Sequence, residues 1–256
     1  MKVVLLAGGF GTRIAEYTDL IPKPMVRIGD KPILWHIMKI YSFYGYKDFI
    51  LALGYKSEVI KNFFLEYASY SSDIKVDLKS GQVTKLNNSD LDWKVTLVDT
   101  GNNSMTGGRI KRLQKYIGNE SFLCTYGDGV SNIDIEKLIQ LHKSKSKIAT
   151  ICTVHPSARF GELTIINDEV KSFKEKPQTN QGWINGGFFV FEPEIFEYIE
   201  GDQTVLEESP LENLAKNNQL AAFKHEGFWQ CMDNVRDRNY LQKLWEKNEA
   251  HWKLWD

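Results

Sequence analysis

Cysteine is scarce in this chain. Cys124, Cys152 and Cys231 are the three in 256 residues, none belongs to a C-x-x-C pair, and no histidine pair stands close to any of them. A disulfide framework and a structural zinc site are therefore not expected, and the three thiols read as reduced residues of a core. A charge surplus is lacking as well: 32 Lys and Arg almost balance 33 Asp and Glu, for a net charge of −1. That balance argues against a nucleic-acid binder, which needs a basic face for the phosphate backbone. No apolar run approaches the roughly 20 residues that cross a bilayer, and residues 2 to 7 read at once as a core strand with no secretory leader ahead of them, so a cytosolic protein is expected. Internal repeats, low-complexity stretches and linkers are missing too.

Two familiar phosphate-binding motifs are also absent. Gly8, Gly9 and Gly11 do not have the G-x-G-x-x-G spacing, and no acidic residue follows where a ribose ligand belongs, which weakens a nicotinamide reading. No Gly-Lys-Ser/Thr follows either, so the Walker loop is excluded.

What the chain does have begins at its amino end. Val3 to Ala7 are apolar on both faces, as in a central parallel strand, and a glycine loop and two cations, Arg13 and Lys23, follow. Glycines there let backbone N–H groups point at phosphate oxygens, while Arg13 offers a planar fork of donors and Lys23 a mobile point charge. The unit reads as a triphosphate grip; a plain strand-to-helix turn is the alternative for the glycines alone. The hydrophobic fraction of 42% and charged fraction of 25% are ordinary for a globular domain.

Along the chain, apolar segments alternate with helical patterns, which predicts an α/β fold with a mostly parallel, Rossmann-like sheet flanked by helices. Strands are expected at 2–7, 48–53, 95–99, 121–126 and 148–154, and helices near 33–44, 57–67, 106–116 and 134–145. After residue 162 the segments shorten, with strands at 162–166, 170–174, 184–191, 221–225 and 228–232 and a helix near 206–218. We read one domain spanning 1–256, with 1–154 mainly a nucleotide-binding half and 155–256 mainly a smaller mixed sugar-binding half plus a carboxyl-terminal helix. Residues 67–93 look polar and irregular, a loop or an arm reaching a neighbouring subunit, and the Trp245, Trp252, Trp255 stripe is either core or interface.

Parallel sheets bind ligands at the carboxyl ends of their strands, where both Gly8-Gly9 and Gly127-Asp128 fall. Asp128 sits between glycines and can reach a phosphate-bound cation; a turn aspartate bonding its own backbone is the alternative. Met105 to Arg109 precedes a helix that Thr106 can cap.

Leu6-Ala-Gly-Gly-Phe-Gly-Thr-Arg13 with Lys23-Pro24-Met25 resembles the signature of the sugar-phosphate nucleotidylyltransferases. Val98-Asp-Thr-Gly101, Ser104-Met-Thr-Gly-Gly-Arg109, Thr125-Tyr-Gly-Asp-Gly129, Glu175-Lys-Pro177, Ile184-Asn-Gly-Gly-Phe-Phe189 and Gly227-Phe-Trp-Gln-Cys-Met-Asp233 narrow the resemblance to the glucose-1-phosphate cytidylyltransferase branch, over essentially the whole chain. The resemblance implies transfer of CMP from CTP to α-D-glucose 1-phosphate, with uridylyl or thymidylyl transfer to a hexose 1-phosphate, or a non-catalytic sugar-nucleotide-binding relative, as alternatives. It implies Arg13 and Lys23 as catalytic cations and a nucleotide site of Leu6, Ala7, Gly8, Gly9, Gly11, Thr12, Arg13, Lys23, Thr106, Gly107, Gly108 and Arg109. Arg109 would donate to the O2 and N3 acceptors of cytosine, with the Gly107-Gly108 backbone against the pyrimidine edge. It further implies a sugar-phosphate site of Glu175, Lys176, Asn185 and Gly186, Mg2+ on Asp128 and Asp233, and a homo-oligomer, a hexamer by resemblance, with no nucleic-acid or membrane partner.

Overall fold

The computed structural model describes residues 1–86, 91–156, 162–166, 169–174 and 182–255. Its centre is a seven-stranded sheet made of β1 (Val3–Leu6), β2 (Asp48–Leu53), β3 (Lys94–Asp99), β4 (Phe122–Tyr126), β5 (Ala149–Val154), β6 (Ile184–Phe191) and β7 (Leu220–His225), in the order β7-β5-β6-β4-β1-β2-β3. β1 pairs parallel with β2 and β4, β2 with β3, and β5 with β7, whereas β6 runs antiparallel to both β4 and β5. The chain thus builds outward from β1 to β3, then crosses back to β4 on β1's other side. That reversal opens a crevice beyond the carboxyl ends of β1 and β4.

The central strands are mostly apolar because helices cover both faces. Val3 and Leu5 face one core with Leu51, Leu123 and Val190; Val4 and Leu6 face the other with Ile50, Phe122 and Phe189. On the first face lie α1 (Ile33–Phe43), α4 (Ile135–Lys145) and the carboxyl-terminal helix α6 (Val235–Glu246); on the second lie α3 (Thr106–Arg112) and α5 (Ser209–Lys216). α2 (Ser57–Tyr70) links β2 toward β3. Phe49, Phe122, Phe188, Phe189 and Phe191 are essentially fully buried, each contributing about 1.5–3 kcal/mol of transfer free energy.

Three expectations are refined. Residues 184–191 and 220–225 join this same sheet, with β6 between β4 and β5, so the two sequence halves share one set of hydrogen-bonded strands. The segment after α2 is not irregular throughout: Ile74–Asp77 and Gln82–Lys85 form an antiparallel hairpin that is wholly exposed, with Ile74, Val76 and Val83 on one face. The tryptophan stripe is core. Trp252 is fully buried and stacks with Phe228 and Trp245 over His36. Among the described residues, no helix is long and apolar enough to cross a membrane.

Candidate active site

A cleft of about 690 Å³ lies at the carboxyl ends of β1 and β4. Its phosphate side is the loop after β1. Leu6, Ala7, Gly8, Gly9, Gly11 and Thr12 all line it. Among the described residues no acceptor meets the amide N–H groups of Gly9, Phe10, Gly11 or Thr12, which leaves the donors of this cleft-lining loop open to a ligand. The glycines there serve different ends. Nothing stands within 4 Å of a Cβ placed at Gly9, which leaves room for a bound group, whereas Gly11 has φ +65° and its Cβ would lie 2.9 Å from those of Lys23. The first turn after this loop holds Arg13 in a short 3-10 segment, Thr12–Ile14, and its side chain is outside the described residues.

Lys23 lines the same cleft beside Gly11. Its Nζ donates to Asp128 Oδ2 at 2.6 Å and to Asp233 Oδ1 at 2.7 Å. Burial works against the ammonium, but the two carboxylates outweigh it and raise the lysine pKa above its ordinary value. The two aspartates lie 105 residues apart in sequence and meet because Gly129–Ser131 and Trp229–Cys231 pair antiparallel, setting Cys231 opposite Gly129. Met232 N–H then donates to the Asp128 carbonyl at 2.8 Å, and Asp237 Oδ2 accepts from the Asp233 N–H at 3.0 Å. Cys231 lines the same end, and burial beside these acids pushes its thiol up to about 12, so it is no nucleophile.

The geometry suits a cation carried in by substrate. Two carboxylates converge on one point, currently taken by an ammonium, while no group of three or more His, Cys, Asp or Glu able to hold a metal occurs among the described residues. Magnesium takes one or two protein carboxylates and completes its shell with phosphates and water.

Arg109 lines the cleft, yet its donors turn inward. Nη1 meets Leu53 O at 3.1 Å, Thr100 Oγ1 at 2.8 Å and Gly101 O at 2.8 Å; Nη2 meets Gly8 O at 2.9 Å and Asn102 O at 3.2 Å. The guanidinium expected to read cytosine is thus spent on tying the phosphate loop to the loops after β2 and β3. Gly8 is a glycine for this reason: a Cβ there would stand 2.2 Å from Nη1. Gly107 and Gly108 need a correction. They do not line the cleft; the backbone of Asp202 and Thr204 fills the space before their Cα atoms, at 2.3 Å and 2.7 Å from the built Cβ positions. Their smallness lets α3 dock on that segment.

On the other side, Asn185 and Gly186 stand just behind the wall. Asn185 Nδ2 donates to Tyr126 OH at 3.1 Å, and Gly186 O accepts from Trp229 Nε1 at 2.8 Å, with Tyr126 and Trp229 themselves lining the cleft. Glu175 and Lys176 lie outside the described residues. Thr106 is on the wall and its hydroxyl donates to Glu207, a residue that no sequence signal singles out.

The family model for nucleotidyl transferase matches residues 2–237. The glucose-1-phosphate cytidylyltransferase of Salmonella typhimurium is 50% identical, and the probable one of Bacillus subtilis 45%, each match covering the whole of both chains. A crystal structure of HddC from Yersinia pseudotuberculosis superposes with a TM-score of 0.69 at 28% identity, covering 95% of this chain and 99% of that one. Members of such families generally use a divalent metal. Matched by the family model over residues 2–237 and 50% identical over its full length to a curated relative, the chain belongs to the nucleotidyl transferase family.

Proposed function

We propose that this chain transfers CMP from CTP to α-D-glucose 1-phosphate, giving CDP-glucose and pyrophosphate. The reading is carried by one observation: Asp128, Asp233 and Lys23 converge in the same cleft that the Gly9 to Thr12 loop lines. Full-length identity of 50% to the Salmonella typhimurium glucose-1-phosphate cytidylyltransferase supports the choice of substrates.

The reaction is an in-line displacement. A phosphate oxygen of glucose 1-phosphate attacks the α-phosphorus of CTP, and the bond to the β-phosphate bridging oxygen breaks as pyrophosphate leaves. That oxygen is already anionic at neutral pH, so no residue need act as a strong base. The barrier lies in bringing two anions together and in the charge that grows on pyrophosphate; positioning and fixed cations lower it by roughly 10 kcal/mol. The amides of Gly9 to Thr12 and the Arg13 guanidinium bind the triphosphate. Lys23 neutralises charge on the phosphates, and Lys176 receives the phosphate of the sugar, with Glu175, Asn185 and Gly186 on the hexose side. Asp128 and Asp233 would hold a bound Mg2+, which would further neutralise phosphate oxygens. Cytosine is read by backbone groups of the Asn102 to Thr106 loop, which Arg109 holds in place. The uncovered apolar face of the Ile74–Asp77 hairpin supports association between copies of the chain as a homo-oligomer.

Pyrophosphate release measured over a matrix of nucleoside triphosphates and sugar 1-phosphates tests the assignment. CTP with glucose 1-phosphate should give the highest kcat/KM, with UTP and dTTP lower by about tenfold or more. A matrix whose maximum falls on another triphosphate or another sugar phosphate overturns it.

A further inference from the structure

One carboxylate gathers hydroxyls from both sides of the cleft. Glu207, exposed in the turn before α5, accepts from Thr106 Oγ1 at 2.6 Å and from Tyr126 OH. Tyr126 ends β4, two residues before Asp128, and Thr106 opens α3 on the nucleotide side. Asn185 extends the chain of bonds toward the sugar side through its 3.1 Å bond to Tyr126 OH.

The direction of every bond in this chain is fixed. Gly187 N–H donates to Asn185 Oδ1 at 2.7 Å, so the amide must present Nδ2 to the Tyr126 hydroxyl. A hydroxyl carries one proton. Tyr126 accepts from Asn185 and therefore donates to Glu207. At the other end, Thr106 Oγ1 accepts from Leu206 N–H at 2.9 Å and spends its own proton on Glu207 too. The Glu207 carboxyl accepts once at each oxygen and so terminates both runs. The tyrosine ring is seated with equal definition: Gly187 has φ +77°, and a Cβ there would lie 2.5 Å from the Tyr126 ring.

We propose that Glu207 is a positioning residue that locks Thr106, on the nucleotide side, to Tyr126 and Asn185, on the sugar side, so that each substrate's site is set by the other's. The inference rests on the reading of this cleft as one that joins a nucleotide to a sugar phosphate. Glu207 is exposed, so its bonds add little to the stability of the fold, and loss of positioning is separable from loss of structure.

Glu207→Gln tests it, because the shape is kept while one oxygen becomes an N–H2 group, which leaves the proton of the hydroxyl facing it without its acceptor. With CTP and glucose 1-phosphate, Glu207→Gln should lower kcat/KM by about tenfold and raise KM for both substrates, while the melting temperature stays within about 2 °C. Glu207→Asp, which keeps both acceptors, should restore part of the loss. The decisive reading is a cycle with Thr106→Val. In the native background this change on the nucleotide side should raise KM for glucose 1-phosphate about fivefold, and in the Glu207→Gln background it should leave that KM unchanged. Unaltered kinetics in Glu207→Gln, an effect confined to CTP, additive effects in the cycle, or a loss of activity matched by a loss of folded protein each overturn the proposal. A wild-type protein that makes no CDP-glucose sinks the functional reading instead, and the cycle is then run with the substrate pair that the matrix identifies.

Discussion

Among the described residues, two cations of the cleft are bound in opposite ways. Arg109 is 4% exposed and gives its guanidinium to five oxygen atoms, four of them backbone carbonyls, on three separate loops. Lys23 gives its ammonium to two carboxylates, Asp128 and Asp233, that keep 27% and 32% of their side-chain surface open. Carbonyls have nowhere to go without dismantling the rim. Carboxylates accept another cation readily. The first arrangement is architecture, and the second, on the proposed reading, is an exchangeable counter-ion held where a substrate-borne metal would sit.

The largest effect should come from removing what the carboxylates are for. Asp128→Asn and Asp233→Asn keep size and can still accept from Lys23, but each takes away a charged oxygen ligand. Turnover should fall by two to three orders of magnitude with the fold intact, and EDTA should abolish activity in the unaltered protein. Steady-state rates with circular dichroism check both statements, and full activity in EDTA would show that the carboxylates serve Lys23 alone.

Next in size is Lys23→Met. Its kcat should drop by about a hundredfold, the usual result when a donor to developing charge is lost. The comparison is sharpened by a second readout. With no ammonium between them, Asp128 and Asp233 repel, so Mn2+ followed by electron paramagnetic resonance without nucleotide should bind about tenfold tighter than to the native chain. Equal or weaker binding would mean that Lys23 and the metal do not compete for the same oxygens.

Arg109→Ala breaks the other half of the contrast. It strands several buried acceptors and loosens three loops, at about 3 kcal/mol, or a fall of roughly 6–12 °C in melting temperature for a chain of this size. kcat/KM for CTP and UTP should decline by one common factor, because a clamp on loops does not distinguish bases. Should CTP use suffer much more than UTP use, the guanidinium reads cytosine N3 after all, and its present bonds are those of a waiting state.

These contrasts mark how far the sequence could be read. β1, β2, β4 and β5 were legible because strands covered on both faces carry runs of consecutive apolar residues, as Val3 to Leu6 and Phe122 to Cys124 do. The position of β6 was not, since its place between β4 and β5 depends on contacts that local pattern does not encode. The hairpin at 74–85 was missed because its residues are all exposed and its turn carries no Asn-Gly or Asp-Gly pair. In the site, Gly8-Gly9-x-Gly11 and Gly127-Asp128-Gly129 were visible as chemistry at strand ends. A glycine in a sequence shows only that space is needed, not who takes it: Arg109 takes it at Gly8, the Asp202 backbone at Gly108, and open cleft remains only at Gly9. Glu207 gave no sign, for an acidic pair before Ser-Pro at a helix start is ordinary capping sequence.

The smallest expected effect tests the same distinction outside the cleft. His36 is fully buried, its Nε2 donating to Ile28 O at 2.9 Å and its Nδ1 accepting from Trp252 Nε1 at 3.4 Å, so like Arg109 it is fixed by neutral partners. Unlike Arg109 it can lose its charge. Burial outweighs the Ile28 carbonyl and nearby Asp30, which favour the proton, and lowers its pKa from 6.5 to about 4. Between those two values the unfolded chain binds a proton that the folded chain refuses, so stability rises with pH there. The contribution is complete above pH 6.5 and is lost as pH falls toward 4; by pH 5 the loss should be roughly 2 kcal/mol. Thermal melts at pH 7 and 5 should then differ by several degrees. His36→Gln, which can donate to Ile28 and accept from Trp252 without titrating, should be less stable at pH 7 but show a shallower fall. If the variant loses as much between pH 7 and 5 as the native chain does, His36 is not the group that senses acid, and the neutral aromatic box around it does not exclude the proton.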